Sequence, residues 1–250
     1  MKPVNASKIE MRMNKMSINT VKLKIDGAEV TVPEGTSILK AAKDNGVIIP
    51  TLCNIEGLTA YGGCRLCLVE VTGTSKLFPA CITPVSAGME ITTNSNKLKE
   101  YRKMAVQLLL AERTHICSAC VANDHCELQA MANQLGVDHV MFERNWSHDE
   151  IDSTHDFLVI DRNRCILCTR CIRICDQIEG VHTLDLKLRG QDSQVIMDLD
   201  QHWGNSCSCT SCRKCAKICP VGAIYIEGEP IDHTKNKDIA EFITARRNRK

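Results

Sequence analysis

Sixteen cysteines in 250 residues constrain this chain more than any other feature, because fifteen of them fall into four spaced groups. The first is Cys53, Cys64, Cys67 and Cys81, spaced C-x10-C-x2-C-x13-C; the second is Cys117, Cys120 and Cys126, spaced C-x2-C-x5-C. The third (Cys165, Cys168, Cys171, Cys175) and the fourth (Cys209, Cys212, Cys215, Cys219) share the string C-x2-C-x2-C-x3-C, with Pro220 after the last cysteine. Three thiolates at x2 spacing on a tight loop can take three corners of an iron–sulfur cubane. The fourth lies too far along the chain for the same cluster and serves its neighbour. One [4Fe–4S] cluster is therefore expected on Cys165, Cys168, Cys171 and Cys219, and another on Cys175, Cys209, Cys212 and Cys215. Two interlocked strings of this kind are not zinc spacing. Asp176 follows Cys175 where a proline follows Cys219, which is expected to alter the local turn more than the ligation.

The first group reads as a [2Fe–2S] site, although its opening gap of ten residues departs from the plant-type C-x4-C-x2-C spacing. Its cysteines are expected on the long loop Thr51–Cys67 and on a following strand. Gly62 and Gly63 beside Cys64 would let backbone amides approach the inorganic sulfides. A structural zinc site is the alternative. The second group has three cysteines, so a cubane there needs one more ligand. His115, placed as H-x-C, is the expected one; His125, a three-cysteine site or an outside ligand are the alternatives. Cys207 is expected to be a spare thiol, with a ligand swap with Cys209 as the other reading.

The rest of the sequence favours metal over disulfide chemistry. The first 20 residues carry charges and no apolar signal core, and no run approaches a membrane span, so a cytoplasmic protein without a membrane segment is expected. With 31 basic and 30 acidic residues the net charge is +1, which argues against nucleic acid as a partner. No G-x-G-x-x-G and no P-loop is present, so neither flavin nor NAD is expected on this chain, and no catalytic residue is expected. Residues 1–18, with Met16 as an alternative start, read as a leader. Alternating runs at Val21–Ile25 and Ala28–Val32 around Asp26-Gly27 read as a hairpin. A short helix capped by Thr36 or Ser37 carries Ile38, Leu39 and Ala42 and stops at Gly46. Strands are expected at Leu68–Val71, Leu77–Ile82 and Met89–Thr92. Helical spacing of Leu98, Tyr101, Ala105, Leu108 and Leu109 predicts a helix over 97–111 with that stripe as its core face, and a second helix is expected over Glu127–Leu135. Asn145–Ser153 reads as a linker. Beyond it comes a pseudo-repeat in which the runs Phe157–Ile160 and Val195–Met197 each precede a cysteine string and Ala223–Ile226 closes the unit. The expected units are 19–96, 97–145 and 154–228, followed by a basic tail over 229–250 that ends Thr244–Lys250.

Four such groups in this order resemble the N-terminal iron–sulfur region of the large iron–sulfur subunit of respiratory complex I. The chain resembles still more closely the small diaphorase subunit (the U subunit) of NAD-linked bidirectional nickel–iron hydrogenases. IPTLCNIEGL, GGCRLCLVEV, AERTHICSACVANDHCELQ, NRCILCTRCIRICDQIEG and CTSCRKCAKICPVGAI carry the likeness over about residues 17–228. The complex I pattern places its histidine where Arg113 stands here, whereas the hydrogenase subunits carry H-x-C, as His115 does. The resemblance implies an α+β chain: an N-terminal β-grasp [2Fe–2S] ferredoxin-like domain, a short helical His/Cys domain and a C-terminal bacterial-type 2[4Fe–4S] ferredoxin-like domain. It also implies a role as an electron wire between a flavin/NAD(H)-binding diaphorase subunit and the small and large subunits of a [NiFe]-hydrogenase, with ferredoxin as a further partner if electrons are bifurcated. The same module in a formate dehydrogenase or complex I-like assembly is the second expectation. A free polyferredoxin-type carrier or a zinc-stabilised scaffold is the third.

Overall fold

The computed structural model describes residues 19–231. The leader expected over 1–18 and nearly all of the basic tail expected over 229–250 lie outside the described residues.

The chain opens with a hairpin, β1 (Thr20–Ile25) and β2 (Ala28–Pro33), paired antiparallel from Thr20↔Pro33 to Ile25↔Ala28. Asp26 and Gly27 both sit at positive φ, in the two-residue turn whose twist matches that of its strands. The Asp26 carboxylate accepts from the Thr93 amide at 2.7 Å and its hydroxyl at 2.5 Å, which ties this turn to the chain leaving the neighbouring strand of the sheet. Helix α1 (Ile38–Asp44) starts at Ser37, whose hydroxyl accepts from the Lys40 amide, and it buries Ile38, Ala41 and Ala42. Strands β3 (Leu68–Val71), β4 (Leu77–Pro79) and β5 (Glu90–Thr92) complete a five-stranded sheet of order β2-β1-β5-β3-β4. Its one parallel pair, β1 with β5, joins the β1–β2 hairpin to the antiparallel strands β5, β3 and β4 within the same sheet. Leu23, Ile25, Ile38, Ala41, Val69 and Ile91 form the core beneath α1.

The strand expected over Leu77–Ile82 is shorter than its sequence pattern. Pro79 has no N–H to continue the ladder. Its carbonyl instead accepts from the Ile82 and Thr83 amides and the Thr83 hydroxyl. Cys81 thus lies in a turn and not on a strand.

Helix α2 (Asn96–Ala111) begins at the Ser95 cap, which accepts from the Leu98 amide while donating to Glu70 at 2.6 Å. The stripe expected to face the core is rotated. Leu98 is buried, but Tyr101 and Leu108 are exposed, and the buried face runs through Arg102, Val106 and Ala111. Arg102 explains the shift: its guanidinium donates to the carbonyls of Leu66, Leu68 and Thr93 at 2.8–3.0 Å. The charge is buried because it closes three otherwise unpaired carbonyls at the edge of the first unit. Helix α3 (Glu127–Gln134) follows, its first amide donating to the Pro220 carbonyl at 2.8 Å.

In the last unit β6 (Leu158–Ile160) pairs antiparallel with β9 (Ile224–Ile226), and between them run α4 (Arg170–Ile174) and α5 (Lys214–Ile218). The repeat expected from the cysteine strings extends to the backbone. Leu167 and Thr169 flank Cys168 at positive φ, and Ser211 and Arg213 flank Cys212 in the same way. The strand expected over Val195–Met197 does not mirror β6. As β8 (Gln194–Met197) it pairs with β7 (Leu184–Lys187) in a hairpin that the sequence analysis missed, although L-D-L-K alternates. The 145–153 segment is also more than a linker: the Asn145 amide donates to the Ala111 carbonyl, and Asp152 exchanges both backbone hydrogen bonds with Ile160. Among the described residues no helix is long and apolar enough to cross a membrane.

Candidate metal centres

The loop after α1 delivers Cys53, Cys64 and Cys67, and the turn after β4 delivers Cys81; all four are buried. The Cys67 and Cys81 sulfurs are 3.4 Å apart. The Leu52 amide donates to the Cys64 sulfur at 3.4 Å, and the Gly63 backbone bonds the Cys53 sulfur. A Cβ on Gly63 would lie 2.3 Å from the Tyr61 ring, so the ring packed over this loop leaves room only for glycine. Hydrogen bonds with Cys64 and Cys81 hold the Cys53 thiol far below its ordinary pKa, and Cys81 brings Cys67 down to about 7. The same contacts push Cys64 and Cys81 up. Four sulfurs this crowded share protons that bound iron would displace.

Each remaining group lines a cavity of its own. Cys165, Cys168, Cys171 and Cys219 surround one, walled by Ile160, Ile166, Val195 and Ile224. Cys175, Cys209, Cys212 and Cys215 surround a second, with Leu158, Ile174, Leu184 and Trp203. The sequence-predicted exchange of fourth cysteines is thus present as a spatial grouping. Its cause is visible in the helices. Cys171 and Cys215 sit inside α4 and α5, and these helices carry Cys175 and Cys219 away from their own loops and into the partner cavity. Pro220 stops the helix at Cys219, whereas after Cys175 the Asp176 amide allows a widened helical turn, Cys175–Glu179, that ends at Gly180. The alternating backbone handedness around Cys168 and Cys212 turns successive amides toward one side, as in anion-binding concavities. Burial lifts the Cys165 thiol to about 11, Cys168 to about 12, and Cys171 and Cys215 well above the ordinary value. Thiolates here need a cationic centre beside them, which iron supplies.

The third cavity is lined by His115, Cys117, Cys120 and Cys126, together with Arg164, Val221 and Gly222. His125, the rival, does not line it. His115 Nε2 is buried without a hydrogen-bond partner among the described residues, as a ring nitrogen kept for a metal would be. Burial brings the His115 pKa down to about 4, so the neutral, ligating form is the stable one. Arg113, two residues earlier, is occupied with Asp149 at 3.4 Å and the Ser193 carbonyl at 2.7 Å. Cys207 is exposed beside the Asn205 carbonyl and lines none of these three cavities.

Among the described residues no three His, Cys, Asp or Glu side chains converge as a single-ion site. Donors arranged around spaces suit polynuclear clusters, and the orphaned imidazole and the buried thiols fit them. Sequence reasoning missed the buried basic residues between the sites. Arg170 makes a bidentate pair with Glu127 at 2.9–3.0 Å. Arg173 donates to the carbonyls of Cys53, Thr59 and Cys168. No local pattern marks either residue.

A sheet-and-helix ferredoxin unit joined to a two-site ferredoxin unit defines an iron–sulfur oxidoreductase protein. Residues 19–96 match the family described as the 2Fe-2S iron-sulfur cluster binding domain. Residues 102–141 match the NADH-ubiquinone oxidoreductase-G iron-sulfur binding region, and residues 156–225 match the ferredoxin-like domain of NADH-quinone oxidoreductase subunit 3. The NAD-reducing hydrogenase HoxS subunit gamma of Cupriavidus necator is 32% identical over 206 residues, covering 82% of this chain and 86% of that protein. A crystal structure of NAD+-reducing [NiFe]-hydrogenase in the H2-reduced state contains a chain that superposes with a TM-score of 0.78 at 30% identity, covering 84% of this chain and 88% of that one. The NADPH-Fe(3+) oxidoreductase subunit alpha of Geobacter sulfurreducens is 33% identical over 227 residues, and this chain spans only 26% of its length. The chain belongs to the family of iron–sulfur subunits that includes the gamma subunit of NAD-reducing hydrogenase.

Proposed function

We propose that this chain is the electron-relay subunit of an NAD-linked [NiFe]-hydrogenase. It passes single electrons between a flavin/NAD(H)-binding diaphorase subunit and the hydrogenase small and large subunits, with ferredoxin as a further partner in a bifurcating complex. It holds one [2Fe–2S] cluster on Cys53, Cys64, Cys67 and Cys81. Three [4Fe–4S] clusters sit on His115, Cys117, Cys120 and Cys126; on Cys165, Cys168, Cys171 and Cys219; and on Cys175, Cys209, Cys212 and Cys215. The units carrying them are 19–96, 97–145 and 154–228, and the reducing cytoplasm suits their free thiols. The observation that supports a relay is the continuity of the interior. One apolar core contains or packs against cysteines of all four groups, among them Cys53, Cys126, Cys171 and Cys215, and Val221 lines two cavities at once.

The clusters supply one-electron chemistry when bound. The chain spaces them, buries most of their cysteines while leaving Cys117 exposed, and sets the hydrogen bonds at their sulfurs, and no substrate bond is made or broken here. A complex I-like assembly is the second reading, favoured by the kinship of residues 102–141 and 156–225. The native complex purified without air decides between them. Hydrogen-driven reduction of NAD+ with nickel present is the expected result. Full iron without nickel or hydrogen activity moves the relay to the second assembly.

A further inference from the structure

Two buried side chains beside the cavity of Cys175, Cys209, Cys212 and Cys215 have no counterpart at its twin. His155 packs edge-on against Phe157 at 4.7 Å and Trp203 at 5.7 Å between ring centres. Its Nδ1 accepts two backbone amides, those of Phe157 and Leu158, each at 3.2 Å. A ring nitrogen that accepts carries no proton, so the proton of this imidazole is on Nε2. That N–H faces the Ser211 hydroxyl at 3.1 Å and the Cys209 sulfur at 4.0 Å. Trp203 is 1% exposed and lines the same cavity. Its backbone amide is held by Asp152 at 2.8 Å, but its indole Nε1 has no hydrogen-bond partner among the described residues. An indole nitrogen only donates, and a buried donor is seldom left unmade.

The twin cavity offers nothing equivalent. Apart from its cysteines its wall is apolar, with the Thr169 hydroxyl as the one polar side chain. The charges at the equivalent positions are paired: Lys214 beside Cys215 with Glu179, Arg170 beside Cys171 with Glu127, and Arg213, which stands where the twin has Thr169, with Glu229 at 3.1 Å.

The geometry points to His155 and Trp203 as tuning residues for one cluster alone. The His155 Nε2–H is shared between the Ser211 hydroxyl at 3.1 Å and the Cys209 sulfur at 4.0 Å, and the Trp203 Nε1–H donates to a sulfur of the cluster held by Cys175, Cys209, Cys212 and Cys215. Donation to sulfur stabilises the more negative, reduced state and raises the reduction potential of that cluster. This inference rests on the ligand assignment proposed above.

The test is a potentiometric titration of the whole anaerobic complex followed by EPR, with iron content measured on each sample. Trp203→Phe keeps the ring and removes the N–H. His155→Asn keeps an acceptor for the two backbone amides and withdraws the N–H from the Nε2 position, whereas His155→Gln restores an N–H near that position. Trp203→Phe and His155→Asn are each expected to move one [4Fe–4S] midpoint to lower potential at full iron content. The other three midpoints stay in place, and His155→Gln stays near the unsubstituted protein. Four unmoved midpoints in Trp203→Phe at full iron content would overturn the inference. Full iron retained in Cys209→Ala, which leaves no side-chain donor to hold the iron, would overturn the ligand assignment itself, and the inference with it.

Discussion

Arg173 donates to the backbone carbonyl of Cys53 at 2.5 Å, and the same nitrogen donates to the carbonyl of Cys168 at 3.1 Å. One guanidinium, 120 residues along the chain from Cys53, therefore joins the loop of the first cysteine group to the loop of the third. Thr59 and the Thr169 hydroxyl take its remaining donors. The link holds the loops of two proposed cluster sites by their backbone carbonyls, independently of the cysteine side chains.

Arg173→Ala is expected to loosen that junction. Hydrogen bonds from a charged group contribute about 1.5–3 kcal/mol each, and losing several should destabilise the interface between the units by at least about 3 kcal/mol. Hydrogen exchange read by mass spectrometry should show faster exchange over residues 51–67 while the β1–β2 hairpin stays protected. Unchanged protection of 51–67 would show that the contact holds nothing.

Glu127 and Arg170 pin α3 to α4. Arg170 is almost fully buried and Glu127 partly so. Removing one partner of a buried pair strands the other, at a cost of about 3 kcal/mol. Glu127→Ala should lower the denaturant midpoint markedly, and a conservative Glu127→Gln should recover part of the loss. Equal midpoints for all three proteins would place the pair at the surface in energetic terms.

Replacing His115 by Ala should alter one cluster and leave the others, while His125→Ala should alter none. EPR of the reduced protein checks both. A spectrum unchanged in every component of His115→Ala would remove His115 from the ligand set.

Cys207→Ser should leave the iron content as it is. A loss of about four irons per chain, one cubane's worth, would mean that Cys207 and not Cys209 completes the string.

Much of the grouping of the cysteines around their cavities could be read in advance because the proposed ligands lie in short spacings. C-x2-C-x2-C on a tight loop states a geometry without reference to the rest of the fold, and the exchange of Cys175 and Cys219 follows from reach alone. What escaped is what depends on distant chain. Arg102 sits on the buried face of α2 because three carbonyls from elsewhere need donors, so apolar periodicity placed Tyr101 and Leu108 there instead. Pro79 ended β4 early and moved Cys81 from a strand to a turn, a single-residue backbone effect inside an apolar run. The β7–β8 hairpin was hidden because its alternation is brief and lies between cysteine strings. His155 carries no motif; its role follows from two amides and one sulfur that only the folded chain brings together.

The most direct test of the central claim is elemental analysis of the anaerobically isolated subunit for iron, acid-labile sulfide and zinc. One [2Fe–2S] and three [4Fe–4S] clusters require about fourteen irons per chain, with sulfide in equal number and no stoichiometric zinc. About ten irons would leave one cubane unformed, and zinc in place of iron would contradict the relay outright.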